Sequence, residues 1–166
     1  MSEGHLLAVE VVPESFERTP RGPITGEIWF VLEGQPFPEE RWSDFPVVVL
    51  EWWLEAEFDL WKGARRSGVL RFMDGPFAVR VHAVGSGHCE VECVELGVDS
   101  TGVGVKEVPK ASADRVDLLG LVQSTRVAAS AAIDEARKRG WDDDDDLTRL
   151  MQLFDEGQQL VHGTDG

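Results

Sequence analysis

VLRFMDGPFAVRVHAVGSGHCEVECVEL, residues 69–96, reads as a three-stranded antiparallel meander, and the rest of the chain is best understood as packing on it. The first connection, Asp74-Gly75, is a dipeptide that tolerates positive φ and suits a tight hairpin. If Phe72 faces Phe77, then Leu70 faces Val79, and four large apolar side chains share one face while Arg71 and Ala78 share the other. Pro76 lacks the N–H that would close a two-residue turn, so the loop is expected either there or as the wider Met73 to Pro76, with the same pairing of Phe72 and Phe77. The second connection, Gly85-Ser86-Gly87, fits a three-residue loop with Gly87 left-handed, which sets Val84 opposite His88. That register pairs Val81 with Val91 and Val79 with Cys93 on the apolar face, and His82 with Glu90 and Arg80 with Glu92 on the other. Two turns read separately thus agree on one apolar face.

With 166 residues, 42% of them hydrophobic, the chain suffices for one compact domain with a sizeable core. The expected division is residues 1–110 as sheet plus first helix, 111–157 as a C-terminal helical part and 158–166 as a frayed tail. Thirty-one acidic residues against 16 Lys and Arg give a net charge of −15. Such a surface repels phosphate backbones and anionic membranes and attracts basic partners, which disfavours nucleic acid and membrane as ligands. The strongest apolar run, 45–54, is interrupted by Glu51 and is far shorter than the roughly 20 residues that span a bilayer. No secretory signal is evident, and a cytoplasmic location is expected. Cys89 and Cys93 lie on one strand with Cα atoms about 13 Å apart, too far for a disulfide, and read as buried free thiols.

Upstream of the meander, residues 5–12 alternate as a strand, and a loop is expected from Pro13 to Pro23. A second strand over 24–33 puts Ile28, Phe30 and Leu32 on one face; Trp29 and Val31 on the other suggest partial cover there too. In the turn-rich connector 34–44, Glu39, Glu40 and Asp44 read as solvated loop charges.

A first helix is expected over 46–62, capped by Ser43 or Asp44, with Pro46 tolerated in its first turn. Val47, Val49, Leu50, Trp53, Leu54, Phe58, Leu60 and Trp61 sweep a broad apolar arc, and Glu51, Glu55, Asp59 and Lys62 form a narrow polar stripe. Glu57 falls inside the arc, which either breaks the helix late or demands a partner such as Arg65 or Arg66. Trp52, at the edge of the acidic stripe, is either a half-buried core residue or an exposed binding anchor.

After the meander, 97–109 reads as a loop or poor edge strand, and its glycines lack the spacing of a phosphate cradle. Ser112 is expected to cap a long helix ending near Arg139, with a stripe of small residues including Ala129, Ala132 and Ala136 that lets a neighbour approach closely. Asp142, Asp143, Asp144, Asp145 and Asp146 precede Leu147, Leu150, Met151 and Phe154, which recur at helical spacing up to Gly157. The run lacks the sixth-position glycine and twelfth-position glutamate of a calcium loop, so it reads as acids at a helix N-terminus or as a partner-facing acidic knob.

No catalytic motif emerges. Alternation sends His88 to the face opposite both thiols, against a zinc site, and no serine lies in a Gly-x-Ser-x-Gly setting. No cofactor is expected. The succession GEIWFVLEG, FPEERWSDFP opening a Trp-rich helix, then LRFMDGPF, resembles small bacterial proteins, and in size, acidity and layout the chain is similar to immunity proteins of polymorphic toxin systems. That resemblance implies a non-enzymatic protein that binds and neutralises a cognate toxin, and a basic nuclease toxin would suit its charge. The expected fold class is α+β: an antiparallel sheet of about five strands including the meander, packed by the Trp-rich helix and two C-terminal helices. The expected partner-binding residues are Glu51, Trp52, Glu55 and Asp59 on the first helix, Glu39, Glu40 and Asp44 in the connector, and Asp142 to Asp146. A self-associating module built on Trp29 and the alanine stripe is the alternative, and a metal-dependent enzyme using carboxylates is the second.

Overall fold

The computed structural model describes residues 7–98, 100–102 and 104–162. They form β1 (Leu7–Arg18), β2 (Ile24–Leu32), β3 (Gln35–Phe37), β4 (Ser43–Asp44), α1 (Pro46–Trp61), β5 (Ser67–Arg71), β6 (Phe77–Gly85), β7 (His88–Val98), β8 (Val105–Asp117), α2 (Leu118–Lys138) and α3 (Asp145–His162). The class is α+β with antiparallel pairing, as expected, but the strands divide between two sheets. In the first, β2 pairs with β1 on one side and with β3 and β4 on the other; in the second the order is β5-β6-β7-β8.

The meander has the register read from its turns. Leu70 pairs with Val79, Val79 with Cys93, Val81 with Val91, and on the opposite face Arg80 pairs with Glu92 and His82 with Glu90. Phe72 N–H bonds Phe77 O at 3.2 Å, which is the wider of the two loops considered. The second turn differs in one detail. Ser86 and Gly87 both have positive φ, a two-residue turn that pairs Gly85 with His88, and Val84 is displaced into an irregularity instead of facing His88.

One core joins both sheets and α1, and edge-to-face rings run through it: Trp42 on Phe77, Phe77 on Phe37, Phe37 on Phe72, Phe72 on Trp53 and Trp53 on Phe30. Ring edges meeting ring faces add about 0.5–1.5 kcal/mol per pair beyond the area they bury. α1 carries its apolar arc against β5, β2, α2 and α3. Trp53, Leu50 and Leu54 are fully buried.

Three boundaries depart from the sequence reading. β1 continues through Phe16 to Arg18, so the loop after it is short. Ser112 to Asp117 is strand, not helix: it continues the edge strand β8, which begins at Val105 within the stretch 97–109 read as a loop or poor edge strand. Irregularities in β8 opposite Val91 and Val94 hide its alternation, and the helix begins only at Leu118. α3 runs past Gly157, which stays in the helix because α1 and α2 come so close there that a Cβ would lie 2.5 Å from the Phe58 ring and 3.2 Å from Arg126 Nε. His5 and the end of the expected tail, 163–166, lie outside the described residues.

Candidate functional site

The expected site residues have separate fates, decided by what neutralises each charge. Asp44 is the plainest correction. It is 2% exposed, not a solvated loop charge. Its carboxylate accepts from Trp42 Nε1 at 2.9 Å, Phe45 N at 2.7 Å, Met73 N at 3.2 Å and Asp74 N at 3.1 Å, joining the start of α1 to the first turn of the meander. Four donors make it a structural anion. Phe45, without a side-chain cap, occupies the N-cap position. Glu39 and Glu40 are exposed between β3 and β4.

The aspartate run is largely satisfied from within. Asp144 is buried and caps α3 through Leu147 N at 2.9 Å. Arg18, at the end of β1, reaches Asp143 at 2.8 Å and Asp144 at 3.9 Å, and the Arg18 hydrogen bond holds the Asp143 carboxyl below its ordinary value. Asp142 lies 3.8 Å from Arg137. Asp145 and Asp146 stand in the first turn of α3, where the helix dipole favours them.

Asp146 also meets α1. Burial first, then the neighbouring Asp146 and Glu55, push the Glu51 carboxyl up to about 7, with Arg149 opposing, and Glu51 Oε2 is buried without a hydrogen-bond partner. The packing of α1 on α3 thus brings together two acidic stretches some ninety residues apart in sequence. Beside them Trp52 is 40% exposed and Glu55 is exposed, while Asp59 lies 3.6 Å from Arg65.

Glu57, the acid inside the apolar arc, does not break α1, and neither Arg65 nor Arg66 neutralises it. It is fully buried, and Thr125 on α2 is its bonding partner, at 2.8 Å from Oε2, while Oε1 has none. Burial drives its pKa well above the ordinary value, against a smaller opposing effect of Thr125. Thr125 Oγ1 also lies 3.0 Å from Leu121 O and has one proton to give. A neutral Glu57 resolves that count: the acid donates to Thr125, and Thr125 donates to Leu121 O.

Sequence reasoning did not single out the outer face of the second sheet. There Ser67, Val69 and Arg71 of β5, Ala78, Arg80 and His82 of β6, Glu90, Glu92, Val94 and Leu96 of β7, and Glu107, Ser112 and Asp114 of β8 line a continuous open trough. The register alone, carried across the meander, would have shown most of it. Ser67 Oγ lies 2.7 Å from His82 Nδ1 in this trough. The pair is exposed, where water competes for both atoms, so it links β5 to β6 and is poorly placed to activate a nucleophile.

Cys89 and Cys93 are buried, and burial pushes both thiols up to about 12, so neither is an activated thiolate. Among the described residues, no three His, Cys, Asp or Glu side chains group as a metal site would require, and no helix is long and apolar enough to cross a membrane. No family model, curated protein or solved structure matches the chain.

Proposed function

We propose that the chain is a non-enzymatic acidic protein that binds a basic protein partner, and that it acts as an immunity protein neutralising a cognate bacterial toxin in the cytoplasm. The observation that carries this reading is the acidic stripe of α1, where Glu51 keeps a buried Oε2 without a hydrogen-bond partner beside the exposed Trp52 and Glu55. Burial and the neighbouring acids push the Glu51 carboxyl up, and its Oε2 is left unpaired, an arrangement that an incoming Lys or Arg relieves. Trp52 supplies the apolar anchor at the centre, and the carboxylates around it steer and pair. The net charge of −15 extends that attraction beyond contact distance.

The self-association alternative loses support, because Ala128, Ala129, Ala132 and Ala136 are already buried and α2 packs on β1 and α1. The direct test is co-expression. The toxic C-terminal domain encoded by the reading frame immediately upstream is expressed alone and with this protein. Growth is expected to be arrested in the first case and restored in the second, and failure to restore growth when both proteins are soluble sinks the reading.

A further inference from the structure

Among the described residues, every strand edge but one is guarded. Along β1 the guard is α2, which packs there: Val9 N–H donates to Ser124 Oγ at 2.9 Å, and Arg139 Nη1 donates to Phe16 O at 2.7 Å. β3 has three residues and carries Pro36, β4 has two, and the edge strand β8 contains Pro109 and is broken by irregularities opposite Val91 and Val94. Short edges, prolines and bulges keep an edge from pairing further. β5 has neither proline nor bulge, for Ser67–Arg71 runs in unbroken register with β6.

The ladder shows which groups of β5 are left over. Ala83 N–H donates to Arg66 O at 2.7 Å and Phe72 N–H to Phe77 O at 3.2 Å, so the even-numbered residues bond β6, and Ser67, Val69 and Arg71 turn their N–H and C=O groups outward. Trp53 Nε1 donates to Arg71 O at 2.8 Å; the other outward groups of these three residues have no partner among the described residues. Val69 is 38% exposed.

The charges around this edge decide which strand fits it. α1 crosses β5 antiparallel, with Trp53 at Arg71 and with Ala56 and Leu60 nearest Gly68. Trp52 and Glu55 are therefore exposed toward one end of the edge, and Lys62 and Arg66, exposed and with no ion pair among the described residues, toward the other. A purely cationic strand meets Lys62, Arg66 and Arg71, and a purely anionic one meets Glu55. A two-fold axis exchanges the ends, so that Trp52 and Glu55 of each copy lie beside Lys62 and Arg66 of the other, acid to base and guanidinium to indole.

We infer that β5 pairs antiparallel with the β5 of a second copy of this chain about a two-fold axis at Val69, setting Val69 opposite Val69 and Ser67 opposite Arg71. This surface is separate from Trp29 and the alanine stripe, and the inference does not depend on the reading of a basic partner. So short an interface makes a weak dimer, and at about 150 mM salt a Debye length of about 8 Å screens the mutual repulsion of two acidic chains.

Sedimentation velocity of the full chain at that ionic strength, from about 10 µM to about 1 mM, is expected to show the mean mass rising from one chain toward two. Over the same range, hydrogen exchange followed by NMR should slow severalfold at the Val69 and Arg71 amides. Val69→Pro removes an outward N–H and no bond to β6, and should abolish the rise in mass. Glu55→Lys and Lys62→Glu, both at exposed positions, should each weaken association severalfold and together restore it, which keeps the test decisive if the proline variant fails to fold. One-chain mass throughout, a dimer indifferent to a folded Val69→Pro variant, unchanged exchange at both amides, or a charge swap that fails to restore association would overturn the inference. So would growth beyond two copies, because the axis closes the assembly.

Discussion

At the residue scale, the molecule treats its buried acids in opposite ways. Asp44 is stabilised as an anion by four donors, two of them from a turn about thirty residues away. Asp44→Ala leaves those donors without their acceptor, and urea unfolding should show a loss of about 3 kcal/mol or more, since each orphaned buried group costs about 1–3 kcal/mol. Glu57 is instead held as the neutral acid. Its folded-state pKa lies above the unfolded one, so its contribution is complete below about 4.5 and is lost as pH rises toward the folded value. Glu51 acts in the same direction between about 4.5 and about 7. Glu57→Gln should therefore gain on the wild type as pH rises, which paired urea titrations from pH 5 to 9 measure; parallel profiles would show that Glu57 is ionised in the fold. The sequence exposed the anomaly of Glu57 inside an apolar arc but pointed to the wrong partner. Thr125 lies on a helix whose position against α1 no local pattern encodes.

At the scale of elements, the meander was legible because its pairing is local: Asp74-Gly75 and Ser86-Gly87 fix the strands that flank them, and alternation does the rest. β8 was not. Ser112, Ala113, Asp114 and Arg115 have low strand preference, the irregularities opposite Val91 and Val94 break the alternation, and the strand runs into α2 without a loop. Gly157 misled for a related reason, since a glycine in a helical pattern marks either an end or a close approach. Here it is the approach of three helices. Gly157→Ala should cost about 1–3 kcal/mol by overpacking against Phe58 and Arg126, read from the urea midpoint at unchanged slope. A stability within error of wild type would mean that α3 packs less closely. The aspartate run was legible as an N-terminal helix signal, whereas its partners Arg18 and Arg137 come from other elements.

At the scale of the whole molecule, the sequence carried the class and the charge but not the division of strands into two sheets, because turns and alternation pair neighbouring strands and give no signal that β1 to β4 pair apart from β5 to β8. The packing of α1 on α3 leaves Glu51, Glu55 and the exposed Trp52 on one helix of a chain whose net charge is −15. The central claim is that this negative surface recruits a cationic protein. It is tested most directly by stopped-flow association of the chain with the upstream toxin domain across ionic strengths. The account predicts a rate constant that falls at least tenfold between about 20 and 500 mM salt, as expected when unlike charges steer encounter. It also predicts that joint reversal at Glu51 and Glu55 slows the reaction and flattens its salt dependence. A rate indifferent to salt, or one untouched by that reversal, would contradict it.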